Sequence, residues 1–173
     1  MVSLALKPGA GAIGARLWYP NETLQHGGVL IGPLKLAGHA HRNLMRGHHG
    51  YFGRASLIQG MSVTAACLVV KKSIFDEVGG LNEKDLKIDF NDIDLCLKIN
   101  SAGYQNIWTP HADLYHHESA TRGLEDTLEK IERFNLEVEY MQRVWKKVID
   151  HDPAYNPNLT LEGEGFTLAF PPR

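Results

Sequence analysis

Apolar and polar positions alternate along the chain in two distinct rhythms. Over residues 126–150, Leu128, Ile131, Phe134, Val138, Met141, Trp145 and Val148 recur at threes and fours, the period of an amphipathic helix. Asp126 and Glu129 have capping-box spacing at its start. One stripe should pack on the domain, with the Glu/Lys/Arg run on a solvated face. A second, shorter helix is expected over residues 91–101. Asn91 suits the N-cap, which puts Asp92 at the first helical position and Asp94 at the third. Both carboxylates gain from the positive end of the helix dipole. Leu95, Cys96, Leu97 and Ile99 make the helix apolar on most sides, hence buried, and Gly103 can close it in the left-handed conformation. A short helix is also expected from Ser73 to Val78.

The strand rhythm is less regular. Residues 15–19 alternate like a strand and stop at Pro20, and Leu24–Leu30 follows as its hairpin partner. Residues 56–62 also read as a strand. The continuous run Ala65–Val70 has the look of a central strand covered on both faces. Gln105–Trp108 is a further strand that Pro110 should break, followed by a short extended piece at 113–116. Residues 1–7 look like the end of a helix. Residues 32–54, rich in Gly, His and Arg, read as a long mobile loop on the substrate side. The proline-containing tail from His151 should wrap the surface irregularly. The whole is α/β: a mixed sheet flanked by helices, with a long carboxy-terminal helix and an irregular tail.

Composition narrows the classes. The 173 residues suffice for one domain, and 43% hydrophobic with 22% charged residues is ordinary for a globular protein. No apolar run approaches the ~20 residues of a membrane span, and the first residues lack the pattern of a signal peptide. Cys67 and Cys96 lie in apolar stretches and read as buried thiols in a reducing cytoplasm. The net charge of −2 hides an asymmetry: residues 1–75 carry +7, with Glu22 as their sole acid, and residues 76–173 carry −9. The basic half suits an anionic ligand, or pairs with the acidic half within the fold. The charged run of the long helix is a surface face and no nucleic-acid site.

Gly9-Ala10-Gly11-Ala12-Ile13-Gly14 matches G-x-G-x-x-G, but a helix end precedes it, a strand follows it, and no acid lies ~20 residues on, so it is no dinucleotide fingerprint. His39, His41, His48 and His49 have no carboxylate or thiolate nearby to complete a metal shell and read as solvated loop histidines. Asp92-Ile93-Asp94 is formally D-x-D, but residues i and i+2 on a helix diverge, so the two acids have different roles. Asp150-His151-Asp152 has the same spacing by accident. A metal-dependent hydrolase would need a histidine pair at helical spacing or a nucleophile motif, and the chain has neither.

A set of short motifs then occurs in a fixed order: Thr64-Ala65-Ala66-Cys67-Leu68, Phe75-Asp76-Glu77-Val78-Gly79-Gly80-Leu81-Asn82-Glu83, Phe90-Asn91-Asp92-Ile93-Asp94-Leu95-Cys96, Ala102-Gly103-Tyr104, Trp108-Thr109-Pro110 and Leu114-Tyr115-His116-His117-Glu118-Ser119. Together they resemble the second half of the family 2 glycosyltransferases, which have a GT-A fold. The resemblance spans nearly the whole chain, residues 1–173, as the acceptor-side portion of such a domain. It implies inverting transfer of a sugar from a nucleotide-diphosphate donor to a saccharide or lipid-linked acceptor. It implies that Asp92 is the general base. Thr64, Ala65, Ala66, Asn91, Asp94 and Arg122 would border the substrates, and His116, with His117 as second choice, would help ligate a divalent cation, Mn²⁺ or Mg²⁺.

Two departures stand out. The family usually has Glu-Asp where this chain has Asn91-Asp92, and Gln-x-x-Arg-Trp is absent, against a processive polysaccharide synthase. The family's amino-terminal half, with its nucleotide-binding strands and D-x-D metal loop, has no counterpart here. The chain alone is therefore expected to hold cation and nucleotide weakly or not at all, to be inactive by itself, and to self-associate through the truncated sheet. The full-length enzyme is expected to work in the cytoplasm, at polysaccharide synthesis and at a membrane surface. The rival expectation is a non-catalytic domain that binds a saccharide or a partner.

Overall fold

The computed structural model describes residues 1–117, 127–163 and 166–171. In chain order its elements are α1 (Val2–Ala5), β1 (Ala10–Trp18), β2 (Leu24–His26), β3 (Val29–Ile31), β4 (Ala37–His39), β5 (Gln59–Gly60), β6 (Leu68–Val69), α2 (Lys72–Glu77), α3 (Asn91–Ser101), β7 (Gln105–Tyr115) and α4 (Leu128–Asp150). The main sheet is mixed. β1 runs parallel to β7 on one side and antiparallel to β2 and β6 on the other, and β5 joins the far edge of β7 antiparallel. β3 and β4 form a separate antiparallel pair. This is the α/β arrangement expected from the pattern and agrees with a partial GT-A-like fold: mixed sheet, flanking helices and a long carboxy-terminal helix.

The central strand is β1, where every residue but Arg16 is buried. Its small residues permit that position. A Cβ on Gly11 would lie 2.5 Å from Ile99 of α3, and one on Gly14 would lie 2.5 Å from Val63. Gly11 and Gly14 of the G-x-G-x-x-G pattern thus serve close packing inside a strand, and Gly9, at φ +72°, turns the chain into it. The run Ala65–Val70 is not the central strand. Thr64 caps a 3₁₀ turn over Ala65–Cys67 by accepting the Ala66 N–H at 3.3 Å, which leaves only Leu68–Val69 to pair, at the edge of β1. Ala65 and Ala66 are exposed and Cys67 is half-buried, so of the two thiols only Cys96 is enclosed.

Other expectations shift for equally local reasons. The segment 24–30 divides at Gly27-Gly28 between two sheets; Gly28 has φ +95°, and a Cβ there would strike the Met61 sulfur at 2.5 Å. Residues 32–54 are no structureless loop: they hold β4 and 3₁₀ turns at Pro33–Lys35 and Tyr51–Ser56. The latter turn also consumes the start of the expected strand at 56–62, of which Gln59–Gly60 remains. Pro110 does not end β7. The register jumps from Ala15–Thr109 to Arg16–Asp113, so Pro110 falls in a bulge where no ladder bond needs its missing N–H.

α3 lies between two clusters. On its sheet side Leu95, Cys96 and Ile99 pack with Ala12, Val63, Ile74 and Trp108. On its other side Ile93 and Leu97 meet Val29, Ile31, Leu86, Met141 and Ile149. The stripe on α4 is buried only in part. Leu128, Ile131 and Phe134 are exposed, while Met141 and Ile149 pack and Glu137 is buried with them. Thr127 caps this helix through the Lys130 N–H at 3.3 Å; Asp126 lies outside the described residues. Beyond α4, Tyr155, Leu159 and Phe166 cover Leu30, Ala40 and Met61. The charge asymmetry is met partly within the fold, since Arg16 and Arg46 of the basic half both pair with Asp113 of the acidic half. No helix among the described residues is long and apolar enough to cross a membrane.

Candidate functional site

The start of α3 is built differently from a simple Asn cap. Phe90 is the N-cap residue, in the left-handed conformation (φ 61°, ψ 0°), and Asn91 becomes the first helical residue, with no side-chain cap bond at this end. The turn is held from outside. Glu137 of α4, 2% exposed, accepts the backbone N–H groups of Lys87 and Ile88 at 3.2 Å and of Asp89 at 2.6 Å. Arg133 stands beside it, with Nε 3.5 Å from Glu137 and Nη2 3.2 Å from Asp89. Charge-assisted bonds of this kind are the stronger class. They fix the three residues that lead into Phe90 and Asp92.

Asp92 follows, half-buried. Its Oδ2 accepts the Ala65 N–H at 2.9 Å, and its Oδ1 accepts the Ile93 N–H at 2.9 Å. The first bond ties α3 to the Thr64-capped turn. Beside it lies a groove of about 200 Å³ whose walls include Asp92, Asp89 and Phe90, Thr64, His39 of β4 and Phe134 of α4. A carboxylate oxygen with one N–H bond keeps a second acceptor direction. The arrangement can therefore take a hydrogen bond, or a proton, from a hydroxyl placed in the groove.

Of the residues singled out from sequence, the structure brings Asp92, Thr64 and Ala65 together. Ala66 is exposed on the same turn and Asn91 is half-buried beside Asp92. Asp94 points elsewhere, as the i, i+2 spacing requires. It is 1% exposed, accepts the Trp145 Nε1–H at 2.8 Å and pairs with Lys98 at 3.0 Å. That geometry is a tether between α3 and α4, outside the groove. Arg122 lies outside the described residues.

His116 is half-buried; its Nδ1 is 2.8 Å from Gln25 Oε1 and its backbone N–H donates to Trp18 O at 3.0 Å. His117 is exposed. Neither is a wall of the Asp92 groove. Among the described residues no three His, Cys, Asp or Glu side chains gather closely enough to hold a metal ion. The Gln25 contact leaves His116 one ring nitrogen as ligand atom, so the described residues do not by themselves make a cation site.

Three residues gave no sequence signal of their position. His39 and His41 read as solvated loop histidines, whereas His39 is half-buried in a groove wall and His41 is buried against Phe166, ring centroids 4.5 Å apart. Burial, with Arg54 nearby, lowers the His41 pKa to about 4. Glu137 was hidden in a charged run. Cys96 is no nucleophile: burial pushes its thiol up to about 12, and its sulfur lies 3.4 Å from both the N and the O of Val63.

Comparison with known proteins adds an independent finding. No protein-family model matches the chain, and no solved structure matches it. Over 172 residues it is 58% identical to an uncharacterized protein, y4gI, of Sinorhizobium fredii, covering 99% of this chain and 19% of that protein. It is 34% identical over 163 residues, 93% of this chain and 12% of the relative, to the O-antigen biosynthesis protein RfbC of Myxococcus xanthus. A 61-residue stretch, 35% of this chain, is 31% identical to 20% of the N-acetylglucosaminyl-diphospho-decaprenol L-rhamnosyltransferase of Mycobacterium tuberculosis. The chain is thus similar to proteins named for O-antigen biosynthesis and for rhamnosyl transfer, and spans a fifth or less of the length of each of these relatives.

Proposed function

We propose that this chain is the acceptor-side part of an inverting, family 2 type glycosyltransferase, with Asp92 as the general base. The carrying observation is the Asp92–Ala65 bond. It joins two stretches 27 residues apart, both singled out by the resemblance, at one groove that Thr64 also lines. The names of the relatives support a sugar donor and a saccharide or lipid-linked acceptor. In this reading an acceptor hydroxyl sits in the groove and attacks the anomeric carbon of the donor sugar. The new C–O bond forms as the bond to the nucleoside diphosphate breaks, and the hydroxyl proton passes to Asp92. A carboxylate is a weak base, so the proton moves late, once bond formation has acidified the hydroxyl.

The second reading is a non-catalytic saccharide-binding unit. It is favoured by one fact: both Asp92 oxygens already accept backbone N–H groups, as in a purely structural carboxylate. One substitution separates the two. Asp92→Asn, made in the longest natural protein that carries this sequence, should lower sugar transfer at least ~100-fold, as loss of a general base does, with an unchanged circular dichroism spectrum. Transfer at the wild-type rate would leave only the binding unit.

A further inference from the structure

Two imidazoles meet behind the Asp92 groove. His26 Nδ1 and His39 Nδ1 lie 2.9 Å apart, with the rings nearly perpendicular at 87°. His26, on β2, is 1% exposed, and its Nε2 is buried with no hydrogen-bond partner. His39, on β4, is a wall of the groove. We infer that His26 is a positioning residue: it fixes His39 as the tautomer that carries its proton on Nε2, making His39 a neutral hydrogen-bond donor in the wall of the Asp92 groove.

The inference follows from counting protons. A hydrogen bond between two imidazoles needs one N–H and one bare nitrogen. If His39 donated, neutral His26 would carry its proton on Nε2, an N–H orphaned in the interior. Orphaned buried donors are rare in native proteins, whereas under-satisfied acceptors are better tolerated. If His26 donates from Nδ1, its buried Nε2 is only a bare lone pair. A charged His26 could serve both needs, but burial first, and the neighbouring His39 second, hold its pKa well below the usual histidine range. His26 therefore donates, His39 Nδ1 accepts, and the His39 proton sits on Nε2. Whatever oxygen that nitrogen meets, from the chain or from a ligand, it meets as a donor.

The consequence for ligands rests on the transferase reading; the tautomer itself does not. The groove then offers an acceptor, Asp92, and a neutral donor, His39. A hydroxyl both gives and takes hydrogen bonds, so the pair suits a polyhydroxyl ligand better than an anion.

Long-range ¹H–¹⁵N spectra of the histidine-labelled chain at pH 7 test this directly. His26 should show a protonated Nδ1 and a bare Nε2, and His39 the reverse. His26→Asn keeps a donor at the Nδ1 position and should leave the His39 pattern unchanged. His26→Leu should spread His39 over both tautomers. In the transfer assay the Leu variant should raise the acceptor KM about tenfold, the scale of one lost hydrogen bond, and the Asn variant should restore it. A His39 proton on Nδ1, a doubly protonated His39, or equal KM values for the two variants would overturn the inference. If His26→Leu does not fold, the wild-type and Asn spectra decide. Failure of the transferase reading appears separately, as normal transfer by Asp92→Asn.

Discussion

Glu137 belongs to an outwardly charged helix yet is as buried as its apolar neighbours, because three backbone N–H groups converge on it. Glu137→Gln keeps the shape but replaces one acceptor oxygen with an NH₂ group that faces those donors. It should destabilise the protein by about 2–3 kcal/mol, the penalty for unsatisfied polar groups of this kind; the midpoint of urea unfolding measures it, and a variant within ~0.5 kcal/mol of wild type would show that water replaces the bonds. Asp94 is the companion case, a buried carboxylate that accepts the Trp145 N–H on one oxygen and is ion-paired with Lys98 on the other. Neither burial was legible in the sequence. Charged residues in a helical run are ordinarily solvated, and what draws these two inward includes donors about fifty residues away along the chain, residues 87–89 for Glu137 and Trp145 for Asp94.

At the scale of elements, α3 and β1 set the site. α3 was legible because an apolar run with acids in front and a glycine behind has few other solutions. Its first residue was misplaced by one because Phe90 takes the left-handed turn usually left to glycine or asparagine. The strands were less legible. A continuous apolar run does not say whether it will be covered on two faces or half-covered at an edge, and a proline in a strand is harmless once a bulge receives it. Thr64 and Asp92 could be singled out together because their order matched a known set of motifs, and both line one groove. His39 could not, because its role depends on His26, which sits on another strand. The packing of β1 carries its own prediction. Gly14→Ala would push a methyl group into Val63, the residue before Thr64. Overpacking of this sort costs roughly 1–3 kcal/mol and should also displace the Thr64 turn, visible as a shifted Ala65 amide resonance. An unshifted amide would mean that β1 yields instead.

For the molecule as a whole, buried histidines set the response to acid. His41 has its pKa lowered to about 4, and burial lowers His26 well below normal. In the unfolded chain both would titrate near ~6.5. Below that pH the unfolded state binds more protons than the native state, so stability falls as pH falls. The His41 contribution is whole above pH 6.5, declines between 6.5 and 4, and is gone below; that of His26 also falls as pH drops below 6.5. His41 should supply about 1–3 kcal/mol of it. Asp152, whose pKa burial raises, offsets part of the loss at the low end. Urea midpoints at pH 7 and pH 5 should differ accordingly, and His41→Phe, which can keep the stack on Phe166, should reduce the difference; an equal fall in both proteins would assign it elsewhere. α4 grips the chain on both sides of Asp92, through Glu137 at residues 87–89 and through Trp145 at Asp94. The helix is a splint across Asp92. A nanobody seated on its outer surface would gain leverage over that carboxylate from a distance, tuning it without ever entering the groove.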